Sequence, residues 1–151
     1  MARLVLTDAN VLFATSPGNA ATNDISAFIT SLSLSTSYDV IDTTGISTTG
    51  AARTRVAGLA DNSITIEFNN DYADNSLEEL INGTTTTNGT VGLVVAMQVK
   101  PTSGATSASN PKYNFNVLVA EWQPLSGAVG ELSTASVTWP ISGPITKSIT
   151  P

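Results

Sequence analysis

Apolar and polar residues alternate one by one along most of this chain, the pattern of strands with one buried face. In "FITSLSLSTSYDV", Phe28, Leu32, Leu34, Tyr38 and Val40 share one face, and Ser31, Ser33, Ser35, Ser37 and Asp39 share the other. "NSITIEFN" sets Ile64, Ile66 and Phe68 against Ser63, Thr65 and Glu67. "GTVGLVVAMQVK" gathers Val91, Leu93, Val95, Met97 and Val99. "KYNFNVLVAEWQ" starts in phase with Tyr113, Phe115 and Val117, then turns apolar on both faces over residues 117–120. "STASVTWPI" places Ala135, Val137, Trp139 and Ile141 opposite Thr134, Ser136 and Thr138. A shorter strand is expected over residues 3–7, followed by one near residues 10–15.

One segment breaks the period. In "DNSLEELING", Ser76 and Glu79 have capping-box spacing, Leu77, Leu80 and Ile81 share a face, and Gly83 stands where a helix stops. The pattern predicts a short helix between strands. Six or seven strands with one such helix indicate a mainly β chain, a sandwich or barrel-like single domain over residues 1–151. No internal repeat is visible, and "NGTTTTNGT" reads as a flexible connection. Two long connections are expected, residues 42–61 and residues 101–112, the second with Pro101 and Pro111 at its ends. Loops of this length inside a compact domain usually have a function.

Composition narrows the chemistry. With 151 residues the chain buries a real core without staples. It has no Cys and no His, which excludes thiol catalysis, disulfides, Cys/His zinc sites and imidazole triads. The opening apolar run stops at Asp8, too short for a signal peptide or a membrane span. On that reading the sequons at Asn82 and Asn88 are turn chemistry rather than glycan sites. The net charge of −6, with six scattered basic residues, argues against a nucleic-acid-binding module. Charged residues make up only 12%, and Ser and Thr fill about a quarter of the chain. Such a surface is easier to bury against another subunit than a charged one, because burying charge is costly.

The candidate constellations are few. Glu67, Asp71, Asp74, Glu78 and Glu79 are hard oxygen donors of the kind calcium takes, but the spacing of an EF-hand is absent. The plainer reading is a turn into a helix whose N-terminus favours carboxylates. Glu67 and Glu121 both fall in expected strands, and two such acids are what a glycoside hydrolase uses when they meet. Arg53 and Arg55 stand two apart, suited to a bidentate clamp on an anion or to pairing with acids of this or a neighbouring subunit. Trp122 and Trp139 offer sugar-stacking rings or, at period-two positions, core packing with Phe68. Phosphate-binding glycine loops and nucleophile elbows are absent from the sequence. No catalytic, metal or cofactor site is assigned.

The order of "NDISAFITSLSLSTSYDVIDTTG", "ARTRVAGLADNSITIEFNNDYA", "VKPTSGATSASNPKY" and "GAVGELSTASVTWPISGPI" resembles the tail tube (major tail) proteins of long-tailed bacteriophages, especially those of actinobacteria. The resemblance covers about residues 3–145. Its most specific pieces are R-x-A-G-L-x-x-x-S ahead of "IEFNNDY", the loop P…S-x-x-N-P-x-Y, and the closing V-x-W-P-x-x-G. Membership would imply a structural virion protein, a β-sandwich with a flanking helix, assembled as rings stacked into a tube. The rings would be hexameric, with sheets of neighbouring subunits joined edge to edge. Double-stranded DNA would pass through the lumen without specific binding, repelled by a net-negative wall. The partners would be further copies and the tape measure, tail terminator and tail-tip proteins, with no membrane. The tube would be assembled in the host cytoplasm and found in the virion tail. The two long loops would then be assembly arms ordered by neighbours, with Arg53, Arg55, Pro101, Asn110 and Pro111 among the inter-subunit contacts. The alternatives are a capsid decoration protein, a carbohydrate-binding β-sandwich module using Trp122 or Trp139, and a hydrolase using Glu67 and Glu121.

Overall fold

The computed structural model describes residues 4–46, 52–73 and 76–151. Its strands in chain order are β1 (Asn10–Phe13), β2 (Asn23–Asp24), β3 (Ile29–Asp42), β4 (Arg55–Asn69), β5 (Val94–Lys100), β6 (Lys112–Leu118), β7 (Thr134–Pro140) and β8 (Thr146–Ser148). A 3-10 turn at Ser26–Phe28 leads into β3, and one helix, α1 (Leu77–Asn82), lies between β4 and β5. The strands form two antiparallel sheets, β2-β1-β5-β6-β8 and β3-β4-β7. The chain is mainly β and sandwich-like, as the alternation predicts.

The core lies where the two apolar faces meet. Val11 and Phe13 of β1, Val95, Met97 and Val99 of β5, and Phe115 and Val117 of β6 face Ile64, Ile66 and Phe68 of β4 and Ala135, Val137 and Trp139 of β7. All are buried, as period two requires when one sheet face is dry. The aromatic centre is Trp139, with its ring 5.9 Å from Phe13 and 6.0 Å from Phe68. Leu77 and Ile81 bury one face of α1 into the same core. Ser76 is the N-cap residue, yet its hydroxyl donates to the Asp71 carbonyl (2.7 Å) instead of capping the helix. Gly83 ends the helix at φ +89°, and a Cβ there would meet the Gly89 nitrogen at 2.4 Å, so only glycine fits.

Two expectations change. The strand expected over residues 3–7 is absent from residues 4–7, and Arg3 lies outside the described residues. Asp8 makes only an isolated parallel bridge to Thr102, and Leu4, Val5 and Leu6 are exposed. Leu6 and Thr7 line a groove shared with Ile29, Thr30 and Leu32 of β3 but form no ladder with them, since alternation alone does not make a strand. The connection expected over residues 42–61 is much shorter, because β4 already begins at Arg55 and pairs with β3 out to Asp42. A bulge hides the alternation there: Gly58 and Leu59 together oppose Asp39, and the register shifts between Tyr38 and Val40.

Candidate assembly surface

The β3–β4 hairpin is longer than the body of the protein that supports it. β7 covers β4 only from Ser63 to Asn69. Beyond that, Ser37 pairs with Asp61, Tyr38 with Ala60, Val40 with Ala57, Ile41 with Val56 and Asp42 with Arg55. Among the described residues no third strand covers this distal ribbon, formed by residues 37–42 and 55–61. Tyr38, Val40, Ile41, Val56 and Leu59 are all exposed on it, Leu59 at 81%. Tyr38 and Val40 continue the face that holds Leu32 and Leu34 against the core, so the face expected to be buried runs out into solvent. A two-stranded ribbon alone in water is marginally stable. Apolar side chains exposed on both faces of one projecting element, Tyr38 and Val40 on one and Ile41 and Val56 on the other, mark surfaces that become covered.

The tip is tied by polar contacts. Thr43 N–H donates to Thr54 O (2.9 Å), and Thr44 N–H donates to Asp42 Oδ1 (2.8 Å). The Thr44 hydroxyl and backbone hydrogen bonds hold the Asp42 carboxyl below its ordinary value. Arg53 pairs with Asp42 of its own chain at 3.6 Å. Arg55 sits across from Asp42 in the ladder, so both arginines lie beside the same carboxylate-bearing residue.

The outer edge of β3 is open. Ile141 N–H donates to Asn62 O (2.9 Å) and Asn70 N–H to Ser133 O (3.0 Å), which turns the even residues of β4 towards β7 and the odd ones towards β3. The N–H groups of Ser31, Ser33 and Ser35 therefore point to β4, and those of Leu32, Leu34 and Thr36 point out of the sheet. Among the described residues these three outward groups have no hydrogen-bond partner.

The loop over residues 101–111 is built around Asn110. Its side-chain amide donates to the carbonyls of Thr102 (3.3 Å), Gly104 (3.0 Å) and Ala105 (3.1 Å), and its Oδ1 accepts the Thr102 N–H (3.0 Å). Lys100 Nζ donates to Gly104 O (3.1 Å), and the Ser103 hydroxyl donates to Asp8 Oδ2. The order expected from a neighbour is supplied by the chain itself. Asn110 and Pro111 are buried and Pro101 is half-buried, so the surface offered outward is Ser103, Gly104, Ala105, Ala108 and Ser109.

The other candidates are scattered. Glu67 is exposed on β4 opposite Ser136, while the Glu121 carboxylate accepts the Thr138 N–H (2.8 Å). Trp139 is fully buried, and Trp122 stands half-buried with its ring T-shaped against Phe68 at 5.5 Å. Asp71 is occupied in the turn before α1, where its carboxylate accepts the Ala73 N–H (2.9 Å). Asp74 lies outside the described residues. Among the described residues, no three acids cluster as a metal site would need. No helix of the described residues is long and apolar enough to cross a membrane.

Comparison with family models and with curated proteins finds no match. The surface has to be read from its own chemistry. Sequence reasoning missed the ribbon and the open β3 edge. The signal was present in the apolar residues Val56 and Leu59, but the bulge at Gly58 broke their phase.

Proposed function

We propose that this chain is a structural subunit whose copies build a phage tail tube. Rings of the subunit, hexameric by the family resemblance, stack around a lumen that conducts double-stranded DNA into the host. The observation that carries this reading is the uncovered ribbon with Tyr38, Val40, Ile41, Val56 and Leu59 exposed. Fully burying one such side chain contributes about 1.5–3 kcal/mol. Covering all five, which are 50–81% exposed, contributes roughly 5–9 kcal/mol, the same order as an association cost of roughly 4–15 kcal/mol. The ribbon reaches a neighbouring copy, and the sheets of adjacent subunits join at the β3 edge. Contacts of this heterologous kind close into rings when the rotation between copies closes. The net charge of −6 keeps the wall from holding the phosphates that slide past it.

The carbohydrate-binding reading is left with the half-buried Trp122, because Trp139 presents no ring face to solvent. The test is assembly: concentrated purified protein viewed by negative-stain electron microscopy forms hollow tubes or stacked rings. Small closed oligomers that never lengthen would favour the capsid decoration reading instead.

A further inference from the structure

The two edges of the β3-β4-β7 sheet are treated in opposite ways. The alternation that leaves Leu32, Leu34 and Thr36 donors open on β3 also turns the N–H groups of Thr134, Ser136 and Thr138 outward on β7. Each of these three has an acceptor. Thr134 N–H donates to Ser126 O (3.1 Å), Ser136 N–H to Gln123 Oε1 (3.2 Å) and Thr138 N–H to Glu121 Oε1 (2.8 Å). The next outward position is Pro140, which has no N–H to offer. The segment that supplies the acceptors is itself anchored. Trp139 Nε1 donates to Glu121 O (2.7 Å), Asn70 Nδ2 donates to Gln123 O (3.2 Å), and Trp122 packs on Phe68.

We infer that Glu121 and Gln123 are an edge guard, closing β7 against the open β3 edge of a second copy of this chain. Thr134, Ser136, Thr138 and both guard residues are exposed, so water would serve these donors almost as well and the bonds add little to the fold. Their effect falls on what can approach. An unguarded β7 would accept β3 of the next copy, whose β7 would accept another, and such a sheet extends without end unless the rotation between copies closes it. The second copy is the occupant because β3, with 14 residues, is the longest open strand edge among the described residues. With β7 shut, this sheet grows through β3 or through the distal part of β4 that β7 leaves uncovered. The inference holds whatever assembly the copies build.

The test compares the full chain with a Glu121→Ala/Gln123→Ala variant by sedimentation velocity and amide I infrared spectroscopy. The expected variant keeps a cooperative melt and associates at about tenfold lower concentration, with an added intermolecular β band. Adding Thr36→Pro, which removes an outward donor of β3 and spares its ladder to β4, returns it to the original behaviour. A Glu121→Gln/Gln123→Glu exchange keeps both acceptors and behaves like the parent chain. A folded double-alanine variant that associates no more readily overturns the guard, and a gain that survives Thr36→Pro overturns β3 as the occupant. Should the double variant not fold, hydrogen exchange on the parent chain decides. Ser136 and Thr138 amides are expected to exchange at least tenfold slower than Leu34 and Thr36 amides, and equal rates overturn the inference. These readouts do not require tubes to form.

Discussion

The Trp139 indole N–H donates to the Glu121 carbonyl at 2.7 Å, joining the C-terminal end of β7 to the segment that has just left β6. One side chain thus fills the centre of the core and ties the two sheets together at their margin. Tryptophan does both because it combines a large ring with a donor.

Trp139→Phe keeps an aromatic ring but leaves the Glu121 carbonyl without this partner. The expected loss is about 1–3 kcal/mol, read from the urea midpoint at an unchanged slope. Trp139→Ala adds a cavity and costs about 3–5 kcal/mol.

Asn110 is the hub of the loop over residues 101–111. Asn110→Asp removes three donated bonds and turns a carboxylate towards the Thr102, Gly104 and Ala105 carbonyls. The expected cost is about 1–3 kcal/mol, with the loop becoming a site of limited proteolysis. Unchanged protease resistance would mean that the loop is held by something other than Asn110.

The ribbon tip responds to acid. The folded pKa of Asp42 is lowered by Thr44, while the unfolded chain has the ordinary value of 3.8. Its contribution is therefore complete above that ordinary value and is lost as pH falls through the lower folded one. Chemical shifts of Thr43, Thr44 and Thr54 should stay constant down to about pH 5 and move only in stronger acid. Asp42→Asn removes that movement.

A chain without cysteine accepts a single reporter. Leu59→Cys places a thiol on the uncovered ribbon, where the native side chain is 81% exposed. It should label fully with maleimide in dilute subunit and at least about tenfold more slowly in assemblies, since reaction with a buried thiol waits for opening. Equal labelling in both would place the ribbon outside the contacts.

Most of the sandwich was legible because Ile64, Ile66, Phe68, Val137 and Trp139 alternate with Ser and Thr, and a strand with one dry face leaves that record. The α1 helix was legible from Leu77, Ile81 and Gly83. The ribbon was not, since alternation reports side-chain faces and says nothing of whether a partner covers them. Tyr38 and Val40 look identical in sequence to Leu32 and Leu34, yet only the latter pair packs on the core. The guard at β7 was equally hidden, because Glu121 and Gln123 act through backbone donors of Thr138 and Ser136, which every non-proline residue carries. Asn110 was singled out as a contact residue, while its role inside the loop depends on four bonds that only the folded chain brings together.

The most direct measurement pairs the full chain with one in which residues 38–60 are replaced by Asn-Gly, joining Ser37 to Asp61, which face each other as a hydrogen-bonded pair of the ladder. Both are concentrated and viewed by negative-stain electron microscopy after their stabilities are compared. The account predicts that the ribbonless chain folds within about 1 kcal/mol of the parent, because the ribbon contributes little to the core. It predicts hollow tubes or stacked rings from the full chain and dispersed subunits from the other. Tubes from both chains, or none from the full chain while the ribbonless one behaves identically, would contradict it.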